Sequence, residues 1–321
     1  MTEVFLAVDA GNTKTWAGLT TADGELVGLV RGGIGDIYAP AGPEAAKAVV
    51  LGLVGELLDG AGLRPGDVRH SAFRLAGVDW PEDAQFWTAA LRELFDVGSF
   101  SVKNDGFALI RSGRLDGQGI SVVLGTGAAL AGRGPAKEWA LSWWLQHPLG
   151  GQGLVSEALR AVYLSQLGLA QPTKLSAVLP SVFGASTPEE MLEATTHRGN
   201  PSTFATLAAH APAVLALIDE DPVVAGLVDT QADRIADYCL SLIAACGLAD
   251  DATVVVGGGL VREPGAPLYE ALRRTCERRG LSLDVRHTQD PALVGALLDA
   301  IAEGGATPTE AARRRLSAAT W

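Results

Sequence analysis

The chain has 321 residues, of which 48% are hydrophobic and 19% are charged, and its net charge at pH 7 is −12. That many apolar residues can bury large cores, which excludes an intrinsically disordered chain. The acidic balance argues against nucleic acid or an anionic membrane surface as the main partner. It is compatible with a local phosphate site, because backbone N–H groups and a divalent metal can hold a phosphate.

The N-terminus and the cysteines bear on the cellular compartment. No apolar run reaches the roughly 18 residues of a membrane helix, and Met1 leads into a strand-like run without a basic region or a cleavage-type site. Cys239, Cys246 and Cys276 are odd in number and lack C-x-x-C spacing, which argues against a disulfide framework or a zinc site. We therefore expect a cytoplasmic protein without a membrane partner.

The first third of the sequence reads as a three-stranded meander followed by alternating helices and strands. In chain order, the predicted bounds are 4–8, 15–20 and 25–31 for the meander, 43 to 60 or 62 for a helix, 71–75 for a strand, 81 to about 95 for a helix, and 100–103 for a strand. This last strand ends at Asn104-Asp105, immediately before a further helix.

The opening motif recurs after a Gly/Asp-rich link at 113–119. The segment GISVVLGTGAALAGR again has the order strand, small-residue turn, strand. This similarity predicts two domains of related topology, 1–115 and 116–303, whose opening turns face a common cleft. The alternation of strands and helices predicts an α/β fold.

The second half continues with a helical stretch, which is followed by a buried strand and further alternating elements. Residues 153–246 are predicted to be a helical insertion, interrupted at Pro172, Pro188, Pro201 and Pro222. The apolar run ATVVVGGG then predicts a buried strand that enters a glycine turn. The remaining elements are a helix, a strand, a helix and a C-terminal helix that packs back on the first domain, predicted at 266–279, 281–286, 291–303 and 304–321.

Three small-residue turns follow apolar strands, and each has two interpretations. The first contains Gly11, Asn12, two threonines and Lys14, and it could present several donors to an oxyanion while Asp9 holds a hydrated magnesium ion. The second is Gly125-Thr126-Gly127-Ala128, and the third is Gly257-Gly258-Gly259. The alternative for each is an ordinary hairpin or strand-to-helix turn. Three such turns at strand ends together favour a phosphate site more than any one of them does.

Asn104-Asp105 at the end of a strand also has two interpretations. An acid at this place often caps the following helix through its side chain. In the functional interpretation, Asp105 is a general base that orients and deprotonates an attacking hydroxyl group. The residues alone leave both open.

The order of the segments VDAGNTKT, VKNDG, LGTG and VVVGGG resembles the superfamily of acetate kinases, sugar kinases, Hsp70 and actin. Within it the chain is similar to the N-acetylglucosamine kinase branch, grouped with the BadF/BadG/BcrA/BcrD ATPase family, from about residue 4 to 300. The resemblance implies two actin-like (ribonuclease H-like) ATPase domains with a nucleotide cleft between them. It also implies ATP and Mg²⁺ as cofactors and a homodimer.

The implied activity is an ATP-dependent kinase for a sugar-like small molecule, with Asp105 as general base and Asp9 organising magnesium. The implied nucleotide site comprises Gly11, Asn12, Thr13, Lys14, Thr15, Gly125, Thr126, Gly127, Gly257, Gly258 and Gly259. The implied acceptor site comprises Asp36, Asp79, Asn104, Asp105, Thr126, Trp144, Gly151 and Gln152.

One departure from the family concerns the acceptor. The family's Gly-Asp-Glu-Gly-Ser acids are replaced here by Gly151 and Gln152, and Trp139, Trp143 and Trp144 lie just upstream. Losing two hydrogen-bonding carboxylates should change the substrate. The tryptophans could stack on a less polar ring or form a core under a flap.

Two other functions stay open. A BadF-type activator would couple ATP hydrolysis to electron transfer through a cysteine-bound iron–sulfur cluster, but no cysteine lies near the expected cleft loops. A non-catalytic relative would bind nucleotide or sugar without transferring phosphate.

Overall fold

A computed structural model describes residues 3–95, 98–196 and 204–320 of the chain. It contains two five-stranded mixed sheets with helices packed on them, which confirms the predicted α/β class. Within the described ranges, no helix has both the length and the apolarity that a membrane span requires.

The first sheet has the order β3-β2-β1-β4-β5. Its strands are β1 (Val4–Ala10), β2 (Thr15–Thr21), β3 (Leu26–Gly32), β4 (Val68–Leu75) and β5 (Phe100–Asn104). β2 is antiparallel to β1 and β3, whereas β4 is parallel to β1 and β5. Strands β1, β3, β4 and β5 therefore all end at the same edge of the sheet.

The second sheet repeats this arrangement in the order β10-β9-β6-β7-β8. Its strands are β6 (Gly119–Leu124), β7 (Ala128–Arg133), β8 (Glu138–Ala140), β9 (Thr253–Gly257) and β10 (Asp284–His287). The β6–β7 hairpin corresponds to β1–β2, and β9 is parallel to β6 as β4 is to β1. Our strand prediction missed β8, which is three residues long and too short to show an alternating pattern.

The helices cover both sheets. They are α1 (Pro43–Ala61), α2 (Pro81–Arg92), α3 (Ile110–Gly113), α4 (Gly150–Gln166), α5 (Leu175–Val182), α6 (Pro188–Thr196), α7 (Phe204–Ala208), α8 (Ala211–Leu215), α9 (Pro222–Cys246), α10 (Pro267–Arg278), α11 (Ala292–Glu303) and α12 (Glu310–Ser317). Pro188 and Pro222 begin α6 and α9, where a missing N–H costs nothing. Pro201 lies outside the described residues.

Two C-terminal helices contact the first sheet. Leu293 and Leu297 of α11 share an apolar core with Phe5, Ala7 and Ala72, although the sequence analysis assigned α11 to the second domain. Leu316 of α12 joins the same core. The domain boundaries themselves stay predictions.

A buried ion cluster connects the two sheets. Asp299 of α11 accepts hydrogen bonds from Arg74 on β4, Arg111 on α3 and Arg133 on β7, at 2.8, 2.8 and 2.9 Å. Burial alone would raise the pKa of Asp299, but the three guanidinium groups outweigh it and hold that pKa far below its usual range. This arginine cluster joins elements from both halves of the chain at one carboxylate.

Candidate active site

Four aspartates follow strands that end at one edge of the first sheet. Asp9 lies at the end of β1, Asp36 after β3, Asp79 after β4 and Asp105 directly after β5. Because these strands run in the same direction, their carboxyl ends bring the four acids to one cleft. The sequence analysis named all four, and the structure brings them together.

Burial raises the pKa of all four carboxyl groups. Burial raises the pKa of Asp105 to about 8, and the nearby charges of Asp9, Asp79 and Asp36 contribute to the increase. Burial also raises the pKa of Asp9 to about 6, against the opposing effect of Lys14. The pKa values of Asp36 and Asp79 are raised mainly by burial as well. The cleft therefore gathers four carboxyl groups where burial disfavours their ionised forms.

Asn104, rather than Asp105, caps the turn that follows β5. Its Oδ1 accepts a hydrogen bond of 2.8 Å from the backbone N–H of Gly106, while its Nδ2 donates to Asp79 Oδ1 at 2.8 Å. Asn104 therefore takes the capping role that the helix-cap alternative gave to Asp105. Asp105 is the first residue of the turn and is half-buried.

Asp83, at the start of α2, holds the loop that carries Asp79. This buried carboxylate accepts hydrogen bonds from the backbone N–H groups of Asp79 and Trp80, at 3.1 and 2.8 Å, and from the Tyr38 hydroxyl at 3.1 Å. In the same loop, a Cβ on Gly77 would lie 2.6 Å from Asp36 Oδ1, and its φ of +79° favours glycine. Sequence analysis missed Asp83, which sits in an ordinary helix start.

The first two glycine turns meet across the cleft. The Oγ1 atoms of Thr13 and Thr126 are 3.4 Å apart. Each turn is closed internally, by Gly11 N–H to Lys14 O at 3.0 Å and by Gly125 N–H to Gly127 O at 2.9 Å. Thr15 contributes no outward group, because it is fully buried. The exposed parts of the two turns therefore face one volume from opposite sheets.

The start of α4 supports the second turn. The backbone N–H groups of Gly151 and Gln152 donate to the carbonyls of Gly125 and Thr126, at 2.9 and 2.8 Å. Both residues therefore contact the second turn through the backbone. Contact of Gly151 and Gln152 with an acceptor stays a prediction.

The third turn packs against the end of β6. A Cβ on Gly258 would lie 2.4 Å from the carbonyl oxygen of Leu124, and the φ of Gly258 is +108°. Only glycine permits this approach, which brings the third turn beside the second. Gly257 is buried, whereas Gly259 faces open space.

Lys14 has two cationic neighbours that the sequence analysis missed. Burial lowers the pKa of Lys14, and the charges of Arg31 and Arg262 lower it further. Lys14 Nζ and Arg31 Cζ lie 5.2 and 5.3 Å from the ring centroid of Trp16. Arg31 pairs with Trp16 across the β2–β3 ladder, a register that the predicted meander could have revealed. Three like charges gathered here suit an anion.

The predicted tryptophan cluster lines an open pocket of about 390 Å³ next to Asp79 and Asn104. The rings of Trp139 and Trp144 are 6.1 Å apart. Trp143 and Trp144 are 55% and 60% exposed, so they do not form a buried core, whereas half-buried Trp139 packs against the core of the second sheet.

The residues of the cleft are compatible with magnesium nucleotide. Among the described residues, no three His, Cys, Asp or Glu side chains are placed to enclose a metal ion together. Magnesium, however, is usually held by one or two carboxylates with water and substrate phosphates. The half-buried, raised-pKa carboxylate of Asp9 fits that role, and the exposed turns with Lys14 fit a polyphosphate.

Comparison with known proteins agrees with this geometry. The family model described as BadF/BadG/BcrA/BcrD ATPase family matches residues 6–301. No curated protein matches the chain significantly.

Several solved structures share the fold. A protein from Chromobacterium violaceum, provisionally named as an N-acetylglucosamine kinase, is 22% identical with a TM-score of 0.67, covering 92% of this chain and 98% of its own. One of the same provisional name from Porphyromonas gingivalis is 19% identical with a TM-score of 0.68, covering 94% and 99%. A ROK family glucokinase from Streptomyces griseus, solved with glucose and AMPPNP, is 16% identical with a TM-score of 0.56, covering 93% and 98%. These likenesses confirm the two-domain actin-like fold.

Proposed function

The chain belongs to the BadF/BadG/BcrA/BcrD ATPase family, and on that basis we propose that it is an ATP-dependent kinase for a hydroxyl group of a sugar or amino sugar resembling N-acetylglucosamine. One observation carries the proposal. Asp105 follows β5 at the sheet edge where Asp9, Asp36 and Asp79 also lie, Asn104 caps the turn in its place, and burial raises the pKa of Asp105 to about 8. A basic carboxylate in that place suits proton transfer from a hydroxyl group.

The residues divide between the two substrates. The turns at Gly11–Lys14 and Gly125–Gly127 would bind the phosphates of ATP, without the buried Thr15, and Gly257–Gly259 would line the adenosine site. Asp9 would hold Mg²⁺, which neutralises phosphate charge when bound. Asp36, Asp79 and Asn104 would orient the acceptor beside Asp105.

The transfer step is a direct displacement. Asp105 accepts the proton of the acceptor hydroxyl as its oxygen bonds to the γ-phosphorus, and the bond between that phosphorus and the β-phosphate oxygen breaks. The products are the phosphorylated acceptor, ADP and a proton, which Asp105 later returns to water. Positioning and charge neutralisation supply most of the rate increase.

We expect activity to depend on pH through Asp105. Only the ionised carboxylate can accept a proton, so kcat/KM for the acceptor should rise with pH as the group of pKa about 8 ionises. Bound Mg²⁺ lowers this apparent pKa, so the profile should move to lower pH as Mg²⁺ is raised. Initial rates from pH 5.5 to 9.5 at two magnesium concentrations test this. A flat profile would contradict the base assignment.

We expect Lys14→Ala to raise the KM for ATP by roughly 10- to 150-fold, because a charged contact to phosphate contributes roughly 1.5–3 kcal/mol, while the KM for the acceptor changes little. Steady-state kinetics with each substrate varied in turn measure both constants. Lys174→Ala, which removes an exposed lysine paired with Glu220, is the matched control. Equal effects of Lys14→Ala on both substrates would argue against a specific phosphate contact.

The activator alternative receives no support from the cysteines. Cys239 and Cys246 lie on α9 and Cys276 on α10, all three buried in the core of the second sheet. Burial raises the pKa of each thiol, which disfavours the thiolates that an iron–sulfur cluster needs.

Acceptor-dependent release of ADP tests the proposal. The purified protein is incubated with ATP and Mg²⁺ against N-acetylglucosamine, glucosamine, glucose, N-acetylmannosamine, a cyclitol and a nucleoside. Stimulation by a sugar supports the kinase. ADP release that no acceptor changes would favour an ATPase, and no release would favour a binding protein.

A further inference from the structure

The tryptophan-lined pocket lies beside the catalytic cleft rather than within it. Its walls include Asp79, Asn104 and Trp144 of the predicted acceptor site, but neither Asp105 nor any of the glycine turns. An acceptor whose reacting hydroxyl contacts Asp105 therefore reaches this pocket only with the part that points away from the transferred phosphate.

Apart from Asp79, which accepts a hydrogen bond from Asn104 Nδ2, the charged side chains that line the pocket are paired. Lys103 Nζ lies 2.7 Å from a Glu138 oxygen and 3.3 Å from Glu303, and Glu138 also pairs with Arg133 at 2.8 Å. This leaves no strong charge for an anionic or cationic ligand at that end. The pocket therefore suits a neutral ligand whose hydroxyl groups can donate hydrogen bonds to Asp79.

The remaining walls combine indole rings with hydrogen-bonding groups. Trp80 from the first half lines the pocket together with Trp143 and Trp144 from the second, and the three are 44%, 55% and 60% exposed. At the inner end, Ser142 Oγ lies 3.3 Å from Asn104 Nδ2. A pyranose ring has the same combination, with apolar C–H faces and hydroxyl groups at its rim.

The tryptophans are held in place before any ligand binds. Asp83 fixes the backbone of Trp80, and the ring of Trp143 packs against Tyr38 with centroids 5.8 Å apart. Among the described residues, Ser142 alone has a positive φ without being glycine, at 41°. Strained backbone of this kind clusters at active and ligand-binding sites.

We propose that this pocket is a subsite for a second sugar ring, so that the preferred acceptor is a neutral disaccharide or longer saccharide rather than a monosaccharide. The inference rests on the proposed kinase function. It accounts for exposed tryptophans beside the predicted acceptor site and for a pocket whose volume of about 390 Å³ falls in the range of small-molecule sites, roughly 300–1,000 Å³.

Matched sugar pairs test the subsite. ADP release is measured with glucose against cellobiose, and with N-acetylglucosamine against its β-1,4-linked disaccharide. We expect kcat/KM to be about 10-fold or more higher for a disaccharide than for its monosaccharide, the discrimination that one added apolar contact gives. Trp144→Ala and Trp80→Ala should bring this ratio close to one. Leu169→Ala, a 73% exposed side chain on another surface, is the control and should leave the ratio unchanged.

Binding without ATP separates this inference from the kinase proposal. Quenching of tryptophan fluorescence is titrated with each sugar and with an aryl glucoside, in the wild type and the variants. If no sugar is phosphorylated, the kinase proposal fails, and tighter disaccharide binding that Trp144→Ala weakens would still support the subsite. Equal affinity for both members of each pair would overturn it, whether or not transfer occurs. Tighter binding of the aryl glucoside than of either disaccharide would overturn the saccharide assignment.

Discussion

Asp105→Asn is expected to lower acceptor-dependent phosphoryl transfer by about 100-fold or more, the usual effect of losing a general base. The amide has nearly the shape of the carboxylate but cannot accept the proton of the acceptor hydroxyl. Asp105 does not cap the turn, since Asn104 does, so the local fold should persist. The affinity for ATP should stay close to that of the wild type.

Steady-state kinetics and calorimetric titration of ATP measure these two effects. Asp229→Asn is the control, because Asp229 lies on α9 in an exposed pair with Arg274 and should leave transfer unchanged. Full activity of Asp105→Asn would show that another group takes the proton.

Stability provides a second readout of the same variant. The pKa of Asp105 is higher in the folded protein, about 8, than in an unfolded chain, about 3.9. Its contribution to stability is therefore present below about pH 4 and is lost as the pH rises to about 8. Asp105→Asn removes this pH-dependent loss of unfolding free energy, because the amide does not ionise. Without nucleotide or metal, the variant should gain unfolding free energy relative to the wild type over this range, and a difference independent of pH would contradict the raised pKa.

Asp299→Ala is expected to have the largest effect on stability. It leaves Arg74, which is fully buried, and Arg111 and Arg133, which are nearly so, without their shared carboxylate. Removing one partner from a buried ion cluster costs about 3–5 kcal/mol. Because these arginines come from both halves of the chain, both halves should be destabilised together.

Urea unfolding followed by circular dichroism measures this loss. Asp229→Ala also removes an aspartate from an ion pair with arginine, but exposed pairs contribute only about 0–1 kcal/mol. Near-equal losses in the two variants would contradict a structural role for the arginine cluster.

The depressed pKa of Asp299 also predicts how the stability difference between the wild type and Asp299→Ala changes with pH. The difference between wild type and Asp299→Ala should be full above about pH 4 and should shrink as the pH falls through the depressed pKa.

The parts of the site that could be predicted from sequence are those with a local signal. Gly11, Thr126 and Gly258 follow apolar runs, and the repeated hairpin predicted that the first two of their turns share a cleft. Parallel strand ends brought Asp9, Asp79 and Asp105 to one edge, which follows from strand direction once the order is known.

The parts that escaped prediction depend on contacts between distant segments. Asp299 sits in an apolar helix, and only the packing of α11 on the first sheet places it among arginines from β4, α3 and β7. Asp83 reads as an ordinary helix-start acid until the fold brings Tyr38 to it. The choice between Asn104 and Asp105 as the cap depends on a single hydrogen bond, which adjacent residues of similar cap propensity do not reveal.

The most direct test of the account is detection of phosphate on the acceptor. The protein is incubated with ATP, Mg²⁺ and each sugar of the panel, and the products are followed by ³¹P NMR and mass spectrometry. We predict a sugar phosphate formed in equal amount with ADP, and its loss in Asp105→Asn. ADP accompanied only by inorganic phosphate, with every sugar and in both proteins, would contradict the kinase function and the role assigned to Asp105.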